Sequence, residues 1–74
     1  LNVPANVIKI GAYAFQTSYS MFNNVVFNNT NGWSYYNSDD STTGTALSSS
    51  DLETVTTAAT YLRATYANKW WKRT

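Results

Sequence analysis

Hydrophobic and polar positions along the chain follow two different rules. Up to Tyr36 the apolar residues come in short clusters cut by Asn, Gly and Pro; from Leu52 onward they recur at helical spacing. "LNVP" alternates apolar and polar and stops at Pro4, which predicts a short strand end. "VIKIG" predicts a second short strand ended by Gly11, and "AYAFQTSYSMF" reads as one helical turn followed by a loop. "FNNVVF", Phe22 to Phe27, predicts another strand. The Asn31-Gly32 pair that follows suits a turn with positive φ. "WSYYN" then predicts a strand, and "SDDSTTGT" a flexible polar loop.

The strongest element lies in "SSSDLETVTTAATYLRATYANKW". Ser50 is the expected N-cap, with Glu53 three residues later completing a capping box and Asp51 favoured in the first turn. Leu52, Val55, Ala59, Leu62 and Tyr66 follow at alternating spacings of three and four, on one face of a helix over roughly 51–67. The threonines in this stretch lower its intrinsic propensity, so the helix depends on docking that face.

One stretch fits neither period. In "VIKIGAYAF", Val7, Ile10, Tyr13 and Phe15 can share a side while Ile8, Ala12 and Ala14 scatter around them. An offset of 24 lays Leu1 and Val3 over Val25 and Phe27, within the roughly 20–29 residues of a leucine-rich repeat. "LNVPANVIKIGAYAF" resembles the unit of BspA-type leucine-rich-repeat surface proteins, L-x-I-P-x-x-V-x-x-I-G-x-x-A-F. The positions that carry the likeness are Leu1, Val3, Pro4, Val7, Ile10, Gly11, Ala14 and Phe15. "FNNVVF" is similar to the start of the next unit, with Phe22 in the leucine position. Gly32-Trp33, the Ser/Thr-Gly loop, "TAATYL", Thr65-Tyr66 and Trp71-Lys72-Arg73 resemble a segment that closes such proteins. Two departures are an extra residue after Phe15 and Ser18 where these units often carry cysteine; they leave the register of residues 16–24 open.

The resemblance implies an α+β fold: a leucine-rich-repeat solenoid fragment of short stacked strands with a C-terminal capping helix. Residues 1–33 would hold one repeat and the start of another. Residues 34–50 would be an aromatic strand and polar loop, and residues 51–74 the capping helix and a basic, Trp-rich tail. In a stacked coil Gly11 turns a corner by positive φ or close approach, Ala14 lets neighbouring coils meet, and Phe15 fills the space between them. Val7, Ile10, Phe22, Val25 and Phe27 join that core, and the helix covers its open end with Leu52, Val55, Ala59, Leu62 and Tyr66. Trp70 or Trp71 seals the margin.

Composition sharpens this picture. A chain of 74 residues without cysteine must stabilise one small core without disulfides, and its twelve aromatic side chains are its main apolar resource. Charged residues make up only 12%, with Asn, Ser and Thr supplying polarity, a mixture expected of a cell-surface or secreted protein. The chain has no initiator Met and no leader, and reads as a piece of a longer protein; no apolar run approaches the ~18 residues of a membrane span. One lysine against four acids gives residues 1–62 a charge of −3, while Arg63, Lys69, Lys72 and Arg73 give residues 63–74 +4. That basic end suits an anionic partner such as nucleic acid, or a helix C-terminus; the second reading is preferred, and no nucleic acid or membrane partner is expected.

Chemistry is sparsely encoded. Serines have no histidine to act as base, and no His-Cys zinc cluster is available. Asp39 and Asp40 share a polar loop, where they could meet calcium, and Asp51 and Glu53 are accounted for by helix capping. No catalytic residue, metal or cofactor is expected. Trp33, Tyr35 and Tyr36 are candidates for an exposed ligand platform, or else pack under the terminal helix beside Trp70 and Trp71. The leading expectation is a non-enzymatic C-terminal cap of a bacterial surface protein. Its partners would be the upstream repeats of the same chain and host or microbial surface proteins or glycans, bound by the array. A carbohydrate-binding module built on Trp33, Tyr35 and Trp70 is the alternative, and a structural spacer the third.

Overall fold

The computed structural model describes residues 1–15 and 23–74, so the expectations for Phe22 and Ser18 lie outside the described residues. The fold is mixed α+β, with two sheets and a helical segment around one core. The smaller sheet pairs β1 (Asn2–Val3) with β3 (Val26–Phe27) in parallel, Asn2 opposite Val26 and Val3 opposite Phe27. That register is an offset of 24 residues, the spacing at which the two segments align in sequence. The Val26 N–H donates to the Leu1 carbonyl and the Asn28 N–H to the Val3 carbonyl, both at 2.9 Å. Backbone groups alternate sides along a strand. Asn2 therefore turns its own N–H and carbonyl to the far edge of β1, which has no strand partner among the described residues.

The opposite edge, on β3, is closed. The Val25 N–H donates to the Val55 carbonyl at 3.1 Å. This contact accounts for the main departure from the expected helix, which is broken rather than continuous over 51–67. α1 (Ser49–Glu53) stops at Thr54, whose φ of −86° and ψ of 106° are extended, and α2 (Val55–Thr60) begins afresh. Residues 54–57 are all β-branched, the class most reluctant to continue a helix. The break turns the Val55 carbonyl onto β3 and its side chain outward, 36% exposed. The buried stripe becomes Leu52, Ala58, Ala59 and Leu62, so Val55 is corrected from core to surface. The start also differs: Ser48 holds the N-cap position with no side-chain cap bond, and Ser50 lies inside α1. Asp51 instead accepts from the Tyr61 hydroxyl at 3.0 Å, tying the two helical pieces together. α2 runs on into a π-helical turn (Tyr61–Thr65), in which the Tyr66 N–H reaches back five residues to the Tyr61 carbonyl.

The larger sheet has the order β2-β6-β4-β5, with every pairing antiparallel. Its members are β2 (Lys9–Ile10), β4 (Trp33–Tyr36), β5 (Thr45–Ala46) and β6 (Trp70–Arg73). β6 lies between β2 and β4, so the residues expected to form a basic tail are a central strand. Consequently Lys72 and Arg73 do not sit at a helix C-terminus. The turn into β4 needs Gly32, whose φ is +81° and where an added Cβ would meet the Thr74 carbonyl oxygen at 2.5 Å.

Aromatic rings weld the two sheets. Phe27 of β3 stacks on Trp71 of β6 with centroids 5.8 Å apart, and meets Trp33 of β4 edge-on at 5.5 Å. Trp33 and Trp71 are 2% and 1% exposed. Each indole N–H is satisfied by a backbone carbonyl, Trp33 by Asn29 at 3.0 Å and Trp71 by Tyr66 at 3.1 Å. Val3, Ile10, Val25, Leu47 and the helical stripe complete the core, with Val7, Phe15, Tyr35 and Tyr66 packed against it. Gly11 has no positive φ, and an added Cβ there would lie 3.4 Å from the Trp70 ring, at ordinary contact distance, so neither reason expected for a glycine at this position applies. The left-handed corner falls at Tyr13, with φ of 61°, whose N–H donates to the Ala67 carbonyl at 2.7 Å. Ala14 is exposed, not pressed between coils.

Replacing a buried tryptophan by alanine removes both ring contacts and an N–H partner. Trp71→Ala is expected to cost about 3–5 kcal/mol, enough to unfold a domain of this size. Urea denaturation followed by circular dichroism measures this; an unchanged midpoint contradicts the packing described.

Candidate functional site

Strand register decides which side chains share a face, because cross-strand partners point the same way. The inner face of the larger sheet carries Ile10, Tyr35 and Trp71. The outer face carries Lys9 of β2, Lys72 and Trp70 of β6, and Ser34 and Tyr36 of β4. Of the three residues expected as an exposed platform, Trp33 is corrected to the core. Tyr35 is half-buried and stacks on Tyr66 with centroids 4.2 Å apart. Only Tyr36 faces outward, beside Trp70.

Two lysines stand directly opposite each other, Lys9 on β2 and Lys72 on β6. Like charges so placed repel unless an anion lies between them. The loop after β4 supplies one. Asp39 Oδ1 lies 2.7 Å from Lys9 Nζ and 3.5 Å from Lys72 Nζ. Lys72 Nζ also donates to the Asp39 backbone carbonyl. Lys69 Nζ donates to Asn37 Oδ1 at 2.6 Å, and within the loop Ser38 Oγ donates to Asp40 Oδ1 at 2.7 Å. The cations also lie over the outer aromatics, Lys9 5.3 Å from the Trp70 ring centre and Lys72 5.0 Å from that of Tyr36. The result is a loop fastened to the sheet by three lysines.

Other candidate groups do not converge. Asp39 is engaged with lysines, Asp40 with a serine and Asp51 with Tyr61, while Glu53 is exposed. Among the described residues no three potential metal ligands cluster, and no helix is long and apolar enough to cross a membrane. A shallow surface notch beside Ile10, Leu62, Tyr66 and Trp71 has no room for a water molecule. Comparison with protein-family models, curated proteins and solved structures finds no match.

The hydrogen bond from Lys9 is the main cause holding the Asp39 carboxyl below its ordinary 3.8, with the Lys9 charge and then Lys72 adding to it against a partial loss of solvation. A carboxylate with a lowered folded value contributes stability above pH 3.8, which is lost as pH falls through that lowered value. The melting-temperature difference between the native chain and Asp39→Asn is therefore expected at pH 7 and absent at strongly acid pH. A difference that persists in acid contradicts the ion pair as its source.

At the alkaline end, the hydrogen bond to Asp51, aided by burial, raises the Tyr61 hydroxyl above 10.0. The folded state resists losing that proton, so stability is expected to fall as pH rises from about 10 through the raised value. Tyr61→Phe should flatten this decline in thermal melts across alkaline pH, and an unaltered slope would contradict the assignment.

Proposed function

We propose that this domain is the non-enzymatic terminating cap of a leucine-rich-repeat array in a bacterial surface or secreted protein. On this reading the array binds host or microbial macromolecules, and the cap closes its last coil. The observation that carries the proposal is the parallel pairing of β1 with β3 at a 24-residue offset, one coil of such a repeat. The segment between the strands holds the residues that resemble the BspA-type unit.

The two edges of that small sheet support the same polarity. An open strand edge invites another strand, and natural proteins block those they do not use. β3 is blocked by the Val55 carbonyl, whereas the outer edge of β1 has no strand partner among the described residues, which is what a preceding coil would need. α1 and α2 pack on β3, where the end of an array needs covering.

A second copy of residues 1–24 placed ahead of Leu1 tests this. It is expected to stack on β1, slowing exchange of the Asn2 amide and raising the melting temperature. An added segment that stays unfolded, with Asn2 exchanging as before, would count against the proposal.

A further inference from the structure

The Lys9–Lys72 pair is occupied by the chain's own Asp39, and the manner of its occupation is informative. Lys72 contacts both the carboxylate and the backbone carbonyl of that residue, so the site holds an aspartyl residue of a polypeptide and not merely an anion. Lys69 adds a contact to Asn37, two residues earlier in the same loop. We infer that Lys9, Lys69 and Lys72 form a docking site for an aspartate-bearing segment of a partner protein, and that residues 37–41 occupy it as an internal pseudo-ligand.

Three features make the exchange feasible. The side chains of Lys9 and Asp39 are 47% and 46% exposed, so an incoming carboxylate reaches the ammonium groups without opening the core. Surface ion pairs of this kind are weakly stabilising and screened by salt, so the resident loop can be displaced. The lysines are carried by β2 and by β6 and its approach, which are fixed by the sheet, while the acid is carried by a loop. Tyr36 and Trp70 form the floor beneath the cations, and the remaining charged group at the loop, Asp40, is held by Ser38. The site is independent of any upstream repeat, so it stands or falls apart from the cap proposal.

The test uses two blocked pentapeptides, Asn-Ser-Asp-Asp-Ser and its uncharged counterpart Asn-Ser-Asn-Asn-Ser, titrated into the full chain at low salt. The readout is the Trp70 indole resonance. Asp39→Asn is expected to bind the acidic peptide about threefold more tightly than the native chain, since its weak internal competitor is removed. Adding Lys72→Met should abolish that binding, and the uncharged peptide should produce no shift. Equal affinity of the native chain and Asp39→Asn overturns the inference, as does equal binding of the two peptides. Displacement by acetate at the same concentration as the peptide also overturns it, because the site would then recognise only an ion. Should Asp39→Asn fail to fold, the native chain decides: a salt-sensitive shift with the acidic peptide that Lys72→Met removes supports the site, and no shift rejects it.

Discussion

Trp71 is the point on which the two sheets, the helical segment and the β4 turn converge. Its ring stacks on Phe27 from the parallel pair and lies 6.3 Å from Trp33 in the larger sheet, while its N–H closes on the carbonyl that ends the π-helical turn. Each sheet alone is too small to bury a core: one has two strands of two residues, and the other flanks its two four-residue strands with edge strands of only two residues each. The aromatic triad changes this by giving both sheets a common interior in a chain that has no cysteine for a disulfide. Large planar side chains bury much area for few residues, which is what a chain of 74 residues needs.

Placing Trp71 there fixes the rest by alternation. Its neighbours Trp70 and Lys72 must face outward, and antiparallel pairing then sets Lys72 opposite Lys9. A repulsive pair is created by the same register that builds the core. The 37–41 loop answers it with Asp39, so the polar outer face follows from the apolar inner one. The helix break belongs to the same economy: Thr54 gives up helical geometry, and the Val55 carbonyl satisfies an N–H on the β3 edge that would otherwise stay open.

Local pattern made some of this legible. The offset of 24, the strand at Trp33–Tyr36 and the Asn31-Gly32 turn all leave marks within a few residues, and their positions agree with the structure. Leu52, Ala59 and Leu62 were readable from helical spacing, but Val55 was not, because a break shifts the phase of everything beyond it. β5 carries no local signal; two residues become a strand only because β4 lies beside them. β6 was hidden by its charge: "KWWKR" reads as a basic tail until one sees that Trp71 points in and Lys72 out. The Lys9–Asp39–Lys72 cluster joins residues 33 and 63 positions apart in sequence, so only the register could reveal it.

Native-state hydrogen exchange tests the claim that the triad makes one cooperative unit of the two sheets. The informative amides are Val26, bonded to β1; Val25, bonded to the helical segment; and Arg73, bonded to the Ile8 carbonyl in the larger sheet. If Phe27, Trp33 and Trp71 weld the sheets, all three open with the same free energy, that of global unfolding. If Val25 and Val26 exchange through a separate, cheaper opening while Arg73 stays protected, the sheets are independent and the account fails.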